Sequence, residues 1–331
     1  MRTGIIGLGV GEKHIAGYRR HAACEVVALC DFDAKKRAEA RRKYPGLAVC
    51  ANADEILDDP GIDAVSIASY DNYHHDQIVK ALANNKHVFV EKPLCQSEGE
   101  AKGIRRLLRG KPRLVLSSNL ILRMSPRFQW LRKAITQGKL GVPYFIEGDY
   151  NYGRLHKITA GWRGKLDFYS VVQGGAVHVI DLLMWLTNDR VVEVAAFGNR
   201  IASAHSRFKH DDMVVGILKF RSGMVGKVSA NFGCVFPHFH TLSVYGTRGT
   251  FVNGLDHGQL FKSREPGVPP AKVALPYPGV EKGDLIYNFV ETILGRAEPA
   301  VPVDDVFAAM SVCFALDKAA KSRRCVSVDC L

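Results

Sequence analysis

The sequence predicts an α/β protein: a doubly wound parallel sheet at the N-terminus, then an α+β domain with a large, mostly antiparallel sheet. Over the first 120 residues, short apolar runs alternate with helical stretches, which is the pattern of a parallel sheet with crossover helices. From about residue 144, long runs with strand chemistry dominate, and two helices interrupt them. We therefore expect two domains, residues 1–120 and residues 121–331.

Five short apolar runs are the predicted strands of the first domain, and a segment of helical character follows each of them. In residues 71–85, for example, Ile78, Val79 and Leu82 recur at helical spacing. Strands and helices that alternate in this way build crossover units, in which a helix connects two parallel strands. The predicted strands are Thr3–Gly7, Glu25–Cys30, Ala64–Ala68, His87–Val90 and Arg113–Ser117.

Longer runs rich in β-branched and aromatic residues characterise the second domain. Arg221-Ser222-Gly223, between two of these runs, is a hairpin signal, and the proline-rich stretch Arg264–Lys282 predicts a loop. Helices are predicted over Gly174–Leu186 and Asp304–Ala320. The predicted strands are Tyr144–Tyr152, Val191–Arg200, Met213–Phe220, Met224–Phe232 and His240–Tyr245.

The composition excludes several classes of protein. Of the 331 residues, 47% are apolar and 24% are charged, which is ordinary for a globular protein in water. No apolar run approaches the ~18 residues of a membrane span, and the N-terminus does not have the pattern of a signal peptide. The eight cysteines form no C-x-x-C pair, which argues against a zinc site or a disulfide framework. We expect a cytoplasmic protein with no metal and no membrane partner.

The net charge of +12 has two interpretations. Basic residues concentrate on two predicted helices, around residues 35–43 and 105–113, and such a concentration can form a nucleic-acid surface. The second interpretation is solvated helix faces together with a site that attracts anionic ligands, and the sequence favours it. Because no nucleic-acid motif accompanies the basic residues, we expect no nucleic-acid partner.

A glycine-rich loop directly follows the first predicted strand. The loop contains Gly7, Gly9 and Gly11, with Val10 between the last two. Glycine is needed where the chain turns tightly and where the backbone must approach a pyrophosphate. The helix after the loop would point its amino end at that anion. The third glycine comes one residue earlier than in the usual G-x-G-x-x-G spacing. The context of strand, loop and helix predicts a Rossmann-type dinucleotide site.

Asp31 directly follows the second predicted strand, twenty residues after Gly11, where an acidic residue hydrogen-bonds the adenosine ribose. A carboxylate there repels the 2′-phosphate of NADP, so the sequence favours NAD. The neighbouring Lys35, Lys36 and Arg37 leave NADP open. The alternative role for Asp31 is to cap the next helix, as Asp33 is also expected to do.

Glu91-Lys92-Pro93 closes the buried run His87–Val90. Open α/β sheets bind their ligands at the carboxyl ends of the strands, which is where these residues stand. A lysine at this place can exchange a proton with a substrate hydroxyl, and a proline fixes the backbone that aims it. The tripeptide predicts a site for proton transfer next to the dinucleotide.

A second polar group lies on the predicted helix Gly174–Leu186. His178 and Asp181 share one face with Gly174, Leu182 and Trp185, whereas Val177, Ile180 and Met184 point elsewhere and are expected to be buried. An imidazole beside a carboxylate is a tuned acid or base. The alternative is a structural pair in which both groups satisfy each other.

These motifs, in this order, resemble the glucose–fructose oxidoreductase / inositol dehydrogenase / rhizopine catabolism (Gfo/Idh/MocA) oxidoreductase family. The resemblance spans almost the whole chain. The motifs that carry it are the glycine loop ending in His14, Ser69-Tyr70-Asp71-Asn72-Tyr73-His74, Glu91-Lys92-Pro93, Arg123-Met124-Ser125-Pro126, Gly141, Gly161-Trp162-Arg163, and Gly174-Gly175 leading to His178 and Asp181.

The resemblance implies an NAD(P)-dependent dehydrogenase that acts on a CH–OH group of a sugar, an inositol-like polyol or a sugar derivative. It implies that Glu91 lies near the nicotinamide ribose, that Lys92 contacts the reacting hydroxyl, that His178 is the second proton-handling group, and that the Lys92–Pro93 bond is cis. It adds Ser69, Tyr70 and His74 to the cofactor contacts. The implied substrate contacts are Lys92, Arg123, Tyr152, Trp162, Arg163, His178 and Asp181.

The chain departs from the family pattern at two places. Many members carry Asp or Asn four residues before the histidine, and Gly174 stands there in this chain. Tyr70 and Asp71 replace the Pro and Asn that usually follow the serine. The missing acid removes one candidate substrate or proton-relay group, for which Asp181 or Asp167 could substitute.

Three functions fit the sequence. The first is a dehydrogenase, in which either Lys92 or His178 is the base; a lysine base needs its pKa lowered from about 10.4. The second is a non-catalytic regulator of the same fold that senses NAD or a sugar. The third is a reductase or glycosidase that uses tightly bound NAD.

His238 and His240 are spaced to share one face of a strand. We expect a histidine pair there rather than a metal site.

The predicted strand Met213–Phe220 is apolar on both faces, with Val214, Gly216 and Leu218 on one and Val215 and Ile217 on the other. An antiparallel sheet that packs on one face normally exposes polar residues on the other. We therefore expect a homo-oligomer, a dimer or a tetramer, packed through this sheet.

Overall fold

The computed structural model describes residues 1–331, which fold into two compact units. The first unit comprises residues 1–121, 280–307 and Leu331. The second comprises residues 122–279 and 308–330. The sequence predicts one boundary near residue 120, and the structure divides the chain there and again around residues 280 and 307.

The first unit is built on a six-stranded parallel sheet, as predicted. Its order is β3-β2-β1-β4-β5-β6, so the chain reverses its direction across the sheet between β1 and β4. Such a reversal opens a crevice at the carboxyl ends of the strands, where ligands bind in open α/β folds. The strands are β1 (Arg2–Ile6), β2 (Glu25–Cys30), β3 (Ala48–Cys50), β4 (Ala64–Ile67), β5 (His87–Val90) and β6 (Leu116–Ser118). The helices are α1 (Glu12–Arg19), α2 (Ala34–Lys43), α3 (Asp54–Leu57), α4 (His74–Ala83) and α5 (Glu98–Arg109).

The second unit contains a nine-stranded sheet with the order β14-β13-β12-β11-β7-β10-β9-β8-β15. Only β7 and β10 pair in parallel, which confirms the prediction of a mostly antiparallel sheet. The strands are β7 (Pro143–Asn151), β8 (Val191–Asn199), β9 (Met213–Phe220), β10 (Val225–Asn231), β11 (Phe239–Gly246), β12 (Gly249–Asn253), β13 (Gly258–Phe261), β14 (Ala271–Val273) and β15 (Val326–Ser327). The remaining helices of the chain are α6 (Pro126–Thr136), α7 (His156–Thr159), α8 (Val177–Thr187), α9 (Asp284–Ile293) and α10 (Val303–Ser322).

The predicted hairpin between β9 and β10 is confirmed. Gly223 has φ +92, a conformation that glycine adopts without strain. The Phe220 N–H donates to the Met224 carbonyl and closes the turn. The two strands then pair antiparallel from Lys219–Val225 to Met213–Asn231.

Five strands and four helices are absent from the sequence predictions: β3, β12, β13, β14, β15, α3, α6, α7 and α9. β3, β14 and β15 have two or three residues each, too few for a period to show. β14 lies inside the stretch that was predicted as a loop. The helices α6 and α9 also escape prediction, although Pro126 at the start of α6 is a helix signal.

The helix α8 is buried on all sides, which differs from the predicted division into a polar and an apolar face. His178, Asp181 and Leu182 are all buried, and so are Val177 and Ile180. The surrounding sheet and helices enclose α8, so its polar groups need partners inside the protein. A π-helical turn over Val172–Ala176 precedes it. None of the ten helices combines the length and the apolar content that a bilayer span requires.

The segment 280–307, predicted as part of the second domain, belongs to the first unit because α9 packs against α1 and β5. Phe289 of α9 lies 5.5 Å from the ring of Phe89. His21 stands just after α1, and its Nε2 lies 2.7 Å from Oε1 of Glu291 on α9. No local sequence pattern predicts these contacts, because the partners are about 200 or more residues apart.

Gly17 allows the close approach of α1 to the start of α9. A Cβ at Gly17 would lie 2.6 Å from the Gly283 carbonyl oxygen and 3.0 Å from its Cα. We expect Gly17→Ala to lower the free energy of unfolding by about 1–3 kcal/mol, because the backbone must shift to admit the methyl group. Thermal and urea unfolding measure the effect.

Gly99→Ala is the matched control, because Gly99 is also helical and its added Cβ would meet nothing closer than 4.0 Å. Alanine there should leave the stability unchanged or raise it by up to about 1 kcal/mol, through helix propensity. Equal effects of the two substitutions would contradict the close packing of α1 and α9.

Candidate functional site

The predicted glycine loop joins β1 to α1 and closes on itself. Gly7 has φ +88, and a Cβ there would lie 2.3 Å from the Ala68 carbonyl oxygen at the end of β4. The Gly11 N–H donates to the Gly7 carbonyl over 3.2 Å, and a Cβ at Gly11 would lie 2.3 Å from the same oxygen. Both positions therefore require glycine, and the early third glycine is a consequence of this tight turn.

The tip of the loop, Gly9 and Val10, is open to a ligand. A Cβ at Gly9 would meet only Lys36 Nζ, at 3.4 Å, and Val10 is exposed. The helix α1 begins just beyond, at Glu12, so its unpaired amide groups point towards the loop. Open backbone, a lysine ammonium group and a helix amino end fit the pyrophosphate of a dinucleotide.

Asp31 supports this loop directly from the end of β2. Its buried Oδ2 accepts a hydrogen bond from the Leu8 N–H over 2.8 Å and lies 3.5 Å from Lys36 Nζ. Its Oδ1 accepts the Asp33 N–H over 2.9 Å. Asp33, rather than Asp31, caps α2, since its Oδ1 accepts the Lys35 N–H. The alternative role of Asp31 as a helix cap is thereby removed, and its ribose contact stays a prediction.

Ser69, Tyr70 and His74 lie together after β4. Ser69 Oγ donates to Gln77 Oε1 over 2.7 Å, and the Tyr70 ring packs edge-on against Phe32 at 5.4 Å. His74 is buried at the start of α4, with Nδ1 2.7 Å from the Pro93 carbonyl oxygen and Nε2 3.3 Å from the Ser69 carbonyl oxygen. His74 thus fastens the β4 loop to the segment that carries Lys92.

Glu91 is a buried carboxylate at the end of β5. Its Oε1 accepts a hydrogen bond from Asn119 Nδ2 over 2.7 Å and lies 3.3 Å from His14 Nε2. His14 Nδ1 in turn lies 2.8 Å from Ser66 Oγ. Burial by itself would raise the pKa of Glu91, but the charge of Lys282 and the hydrogen bond from His14 outweigh it and hold the pKa well below its usual value.

Lys92 follows Glu91 on a backbone that is held on both sides. The Glu91 N–H donates to the Ile67 carbonyl of β4, and the Pro93 carbonyl accepts from His74. The Lys92–Pro93 peptide bond is cis, as the resemblance implied. Lys92 is partly exposed, so its side chain is accessible at the carboxyl edge of the sheet.

In the second unit, two predicted substrate contacts bind each other. Arg123 Nε donates to Asp181 Oδ2 over 2.9 Å, and Arg123 Nη2 donates to Asp181 Oδ1 over 2.5 Å. Both side chains are almost fully buried. A bidentate pair of this kind fixes α8 against the 3₁₀ turn Ile121–Met124, and removal of either partner would strand a buried charge.

His178 lies among aromatic rings that come from three strands. Its ring stacks on Tyr150 of β7 at 6.2 Å and meets His240 of β11 edge-on at 6.4 Å. Tyr152 stacks on Tyr150 at 5.6 Å and packs against Phe232 at 4.7 Å. We call His178, Tyr150, Tyr152, Phe232 and His240 the aromatic cluster.

Four further predicted residues, Trp162, Arg163, Asp167 and His238, belong to the same unit. Trp162 and Arg163 occupy the 3₁₀ turn Trp162–Lys165, with the guanidinium group 4.5 Å from the indole ring. The ring of His238 lies 5.0 Å from that of His240, and His240 Nδ1 is hydrogen-bonded to the hydroxyl of Tyr277 over 2.5 Å. Asp167 is exposed.

A buried carboxylate holds the segment that leads into α8. Asp317 Oδ1 accepts a hydrogen bond from Ser170 Oγ over 2.7 Å, and its Oδ2 accepts one from Gln173 Nε2 over 2.8 Å. Ser170 Oγ also accepts the N–H groups of Val172 and Gln173. This network orders the π-helical turn that precedes His178.

Comparison with protein families matches both parts of the chain. Residues 1–118 match the model described as "Oxidoreductase family, NAD-binding Rossmann fold", and residues 128–252 match the GFO/IDH/MocA C-terminal domain. The two matches cover most of the chain. The protein belongs to the Gfo/Idh/MocA oxidoreductase family. The resemblance inferred from the motifs is thus confirmed, and the first unit carries the NAD-binding domain of this family.

Individual relatives of this family member are distant but match over their full length or most of it. A myo-inositol 2-dehydrogenase of Thermotoga maritima is 24% identical, with 99% of each chain covered. A scyllo-inositol 2-dehydrogenase (NAD(+)) of Bacillus subtilis is 26% identical over 78% of this chain and 75% of its own. The solved structure of a Lactobacillus plantarum myo-inositol 2-dehydrogenase superposes with a TM-score of 0.84 at 20% identity, over 99% of both chains.

Several residues that contact the predicted site residues are not predicted from the sequence. Asn119 and Lys282 reach Glu91 from β6 and from the segment before α9, and no local pattern marks them. Tyr150 precedes Tyr152 by two residues, so strand periodicity could have placed both rings on one face. Tyr169, whose hydroxyl occupies the space beside Gly174, carries no motif at all.

Burial raises the pKa of Asp317 to about 6, helped slightly by Asp211 and opposed by the hydrogen bonds from Ser170 and Gln173. The folded state therefore holds a proton that the unfolded chain loses near pH 4. The free energy of unfolding then falls as the pH rises from about 4 to 6, by at most about 3 kcal/mol at 1.36 kcal/mol per pKa unit. We expect Asp317→Asn to unfold at a higher temperature than wild type at pH 8, but not at pH 4.5.

Differential scanning calorimetry of both proteins at the two pH values tests this expectation. Asparagine retains both hydrogen bonds if the Gln173 amide turns over, so the variant isolates the charge. A difference in Tm that is the same at pH 4.5 and pH 8 would show that Asp317 does not titrate in this range.

Proposed function

We propose that the protein is an NAD-dependent dehydrogenase that interconverts a CH–OH group and a carbonyl group in a polyol, a sugar or a sugar derivative. The observation that carries this proposal is Lys92 on a fixed backbone at the carboxyl edge of the sheet, in the same unit as the glycine loop and Asp31. The inositol dehydrogenases among the relatives support the substrate class.

We assign proton transfer to two side chains. Lys92 contacts the reacting hydroxyl and either accepts its proton or polarises its oxygen, and His178 is the second proton-handling group. NAD, when bound, supplies the acceptor for the hydride. His178 suits this role because its imidazole is buried beside the rings of Tyr150 and His240, and this packing restricts its orientation. Arg123, Asp181, Tyr152, Trp162 and Arg163 shape the substrate side.

The cofactor contacts follow from the loop and its supports. Gly7, Gly9, Val10 and Gly11 present backbone to the pyrophosphate, and Asp31 accepts hydrogen bonds from the ribose hydroxyls. Because the Asp31 carboxylate also repels a 2′-phosphate, we propose NAD as the cofactor. Lys36, 3.5 Å from Asp31, leaves some affinity for NADP. Ser69, Tyr70, His74, Glu91 and Lys92 complete the proposed contacts.

We further propose that the protein works as a homo-oligomer in the cytoplasm. On the face of the nine-stranded sheet that carries Phe197, Ile217 and Val225, these side chains are 64%, 50% and 43% exposed. Their register places them on neighbouring strands, since Phe197 pairs with Val215 and Ile217 pairs with Lys227. Exposed apolar side chains so close together are typical of an interface, and a second copy would cover them. Eight free cysteines fit a reducing compartment.

Lys92→Ala tests the proposed chemistry. We expect the variant to lose at least about 10³-fold in kcat for NAD reduction, the loss expected when a group active in proton transfer is removed. Its dissociation constant for NAD should stay within about threefold of wild type. Absorbance of reduced nicotinamide with a panel of inositols, sugars and sugar acids measures turnover, and calorimetric titration measures NAD binding.

Lys102→Ala is the control, because Lys102 is exposed on α5 and pairs only with Glu98. Near-wild-type turnover by Lys92→Ala would remove Lys92 from the mechanism. If wild type binds NAD and turns over no member of the panel, the non-catalytic sensor becomes the better description of this protein.

Ile217→Lys tests the proposed oligomer. A charge in the centre of the exposed apolar group should disfavour association, so we expect the mass in solution to fall from a dimer or tetramer towards the 36.5 kDa of one chain. Val235→Lys is the control, since Val235 is fully exposed and lies outside the sheet. Light scattering that finds wild type monomeric at micromolar concentration would refute the proposal.

A further inference from the structure

Two cysteines stand side by side at the ends of β2 and β3. Cys30 is the last residue of β2, Cys50 is the last residue of β3, and the two are direct partners in the parallel pairing of these strands. Side chains of directly paired residues project from the same face of a sheet. Cys50 Sγ lies 3.6 Å from the Leu29 carbonyl oxygen, so it leans towards the strand that carries Cys30. Both thiols are free.

The spacing of the two residues permits a disulfide bond. Neighbouring strands lie about 4.8 Å apart, and the Cα atoms of bridged cysteines are usually about 4.4–6.8 Å apart. The Cβ atoms of a disulfide are closer, about 3.8 Å apart, so the bond would draw the two strand ends together by about 1 Å. Cys30 is buried, whereas Cys50 is partly exposed on the edge strand of the sheet. A small oxidant in solvent therefore reaches Cys50 first.

The two thiols differ in their electrostatic surroundings. The neighbouring Cys30 thiol lowers the pKa of Cys50, and burial and the charge of Glu55 oppose this effect. The same interaction raises the pKa of Cys30, and burial raises it further. Cys50 is therefore the thiol that more readily becomes a thiolate, which is the nucleophilic form, while Cys30 keeps its proton.

The backbone of these two cysteines supports the proposed dinucleotide site. The Cys30 carbonyl accepts the Gly7 N–H over 2.8 Å, and the Cys50 carbonyl accepts the Asp31 N–H over 3.3 Å. Asp31 in turn accepts the Leu8 N–H over 2.8 Å. A displacement of the two strand ends therefore reaches the first glycine of the loop and the carboxylate that we assign to the ribose.

We propose that Cys30 and Cys50 form a dithiol site that a hydroperoxide oxidises to a disulfide, and that this disulfide weakens NAD binding. The part that concerns NAD rests on the proposed function, whereas the dithiol site does not. Reduction by an external dithiol, through thiol–disulfide exchange, restores both thiols and with them the affinity for NAD.

The oxidation proceeds in two steps. The Cys50 thiolate attacks one peroxide oxygen, the O–O bond breaks, and a sulfenic acid forms while the other oxygen leaves and takes up a proton. The Cys30 sulfur then attacks the Cys50 sulfur, the S–O bond breaks, and the hydroxide leaves as water with the proton of Cys30. The two thiols are oxidised by two electrons, and hydrogen peroxide is reduced to two molecules of water.

Treatment of the reduced full-length protein with hydrogen peroxide tests the proposal. Mass spectrometry of a non-reduced tryptic digest should find residues 21–35, which contain Cys30, linked to residues 44–80, which contain Cys50. Calorimetric titration should find that the dissociation constant for NAD rises at least about tenfold, the loss expected when a charged hydrogen-bonding group no longer meets its partner. Dithiothreitol should reverse both changes.

Cys50→Ser removes the thiol that reacts first. Because the position is partly exposed and serine is slightly smaller, we expect the reduced variant to bind NAD within about twofold of wild type, and to keep this affinity after peroxide treatment. Cys24→Ser is the matched control, since Cys24 is also partly exposed in the same unit but is hydrogen-bonded to Thr3. It should form the disulfide and lose affinity as wild type does. Its digest also assigns the bond, because residues 21–35 then contain only Cys30.

Each part of the proposal has its own contrary result. Thiols of Cys30 and Cys50 that both stay free after peroxide treatment overturn the dithiol site. A disulfide that leaves the dissociation constant for NAD unchanged overturns the effect on binding, and so does an equal loss of affinity in Cys50→Ser. If reduced wild type does not bind NAD, the proposed function fails, and the mass of the linked peptides still decides whether the dithiol site exists.

Discussion

The buried carboxylate of Glu91 is the constraint on which the first unit depends. A charge in the interior is tolerated only with hydrogen-bonding partners, and those of Glu91 come from different parts of the chain: Asn119 after β6, His14 on α1 and the nearby charge of Lys282. The chain must therefore bring strand ends, helix and returning segment together at one point. That point is the residue before Lys92, so the need to satisfy one buried charge also fixes the backbone of the proposed proton-handling group.

In the second unit, the corresponding constraint is the burial of the polar side chains of α8, His178 and Asp181. The helix α8 is enclosed by the rest of the unit, so its polar groups are surrounded by protein: Asp181 binds Arg123, and the ring of His178 lies beside those of Tyr150 and His240. Gly174, in the turn that precedes α8, carries no side chain. Tyr169 fills the resulting space with an aromatic ring and one hydroxyl, which preserves packing density.

The agreement between sequence and structure is uneven, for physical reasons. Long elements with a clear period, such as β2, β5, β9 and the helix containing His178, lie within a few residues of their predicted limits. The missed elements include the two- and three-residue strands β3, β14 and β15, whose existence depends on a neighbouring strand, and α9, whose apolar face is complementary to α1 and β5. The segment 280–307 joins the first unit for the same reason. Packing over long sequence separations decides such elements, and no local window contains it.

The sequence by itself determined the alternation that specifies a parallel sheet, the glycines that the β1–α1 turn requires, and the order of motifs that places the chain in its family. These are local, because each depends on side-chain periodicity or on the φ and ψ freedom of single residues. Only the tertiary structure decided which groups meet: Asp31 with the Leu8 amide, Arg123 with Asp181, and the Tyr169 ring with the backbone of Gly174. Contacts between distant residues depend on the geometry of the completed fold, since hydrogen bonds and steric exclusion act over a few ångströms in space whatever the separation along the chain.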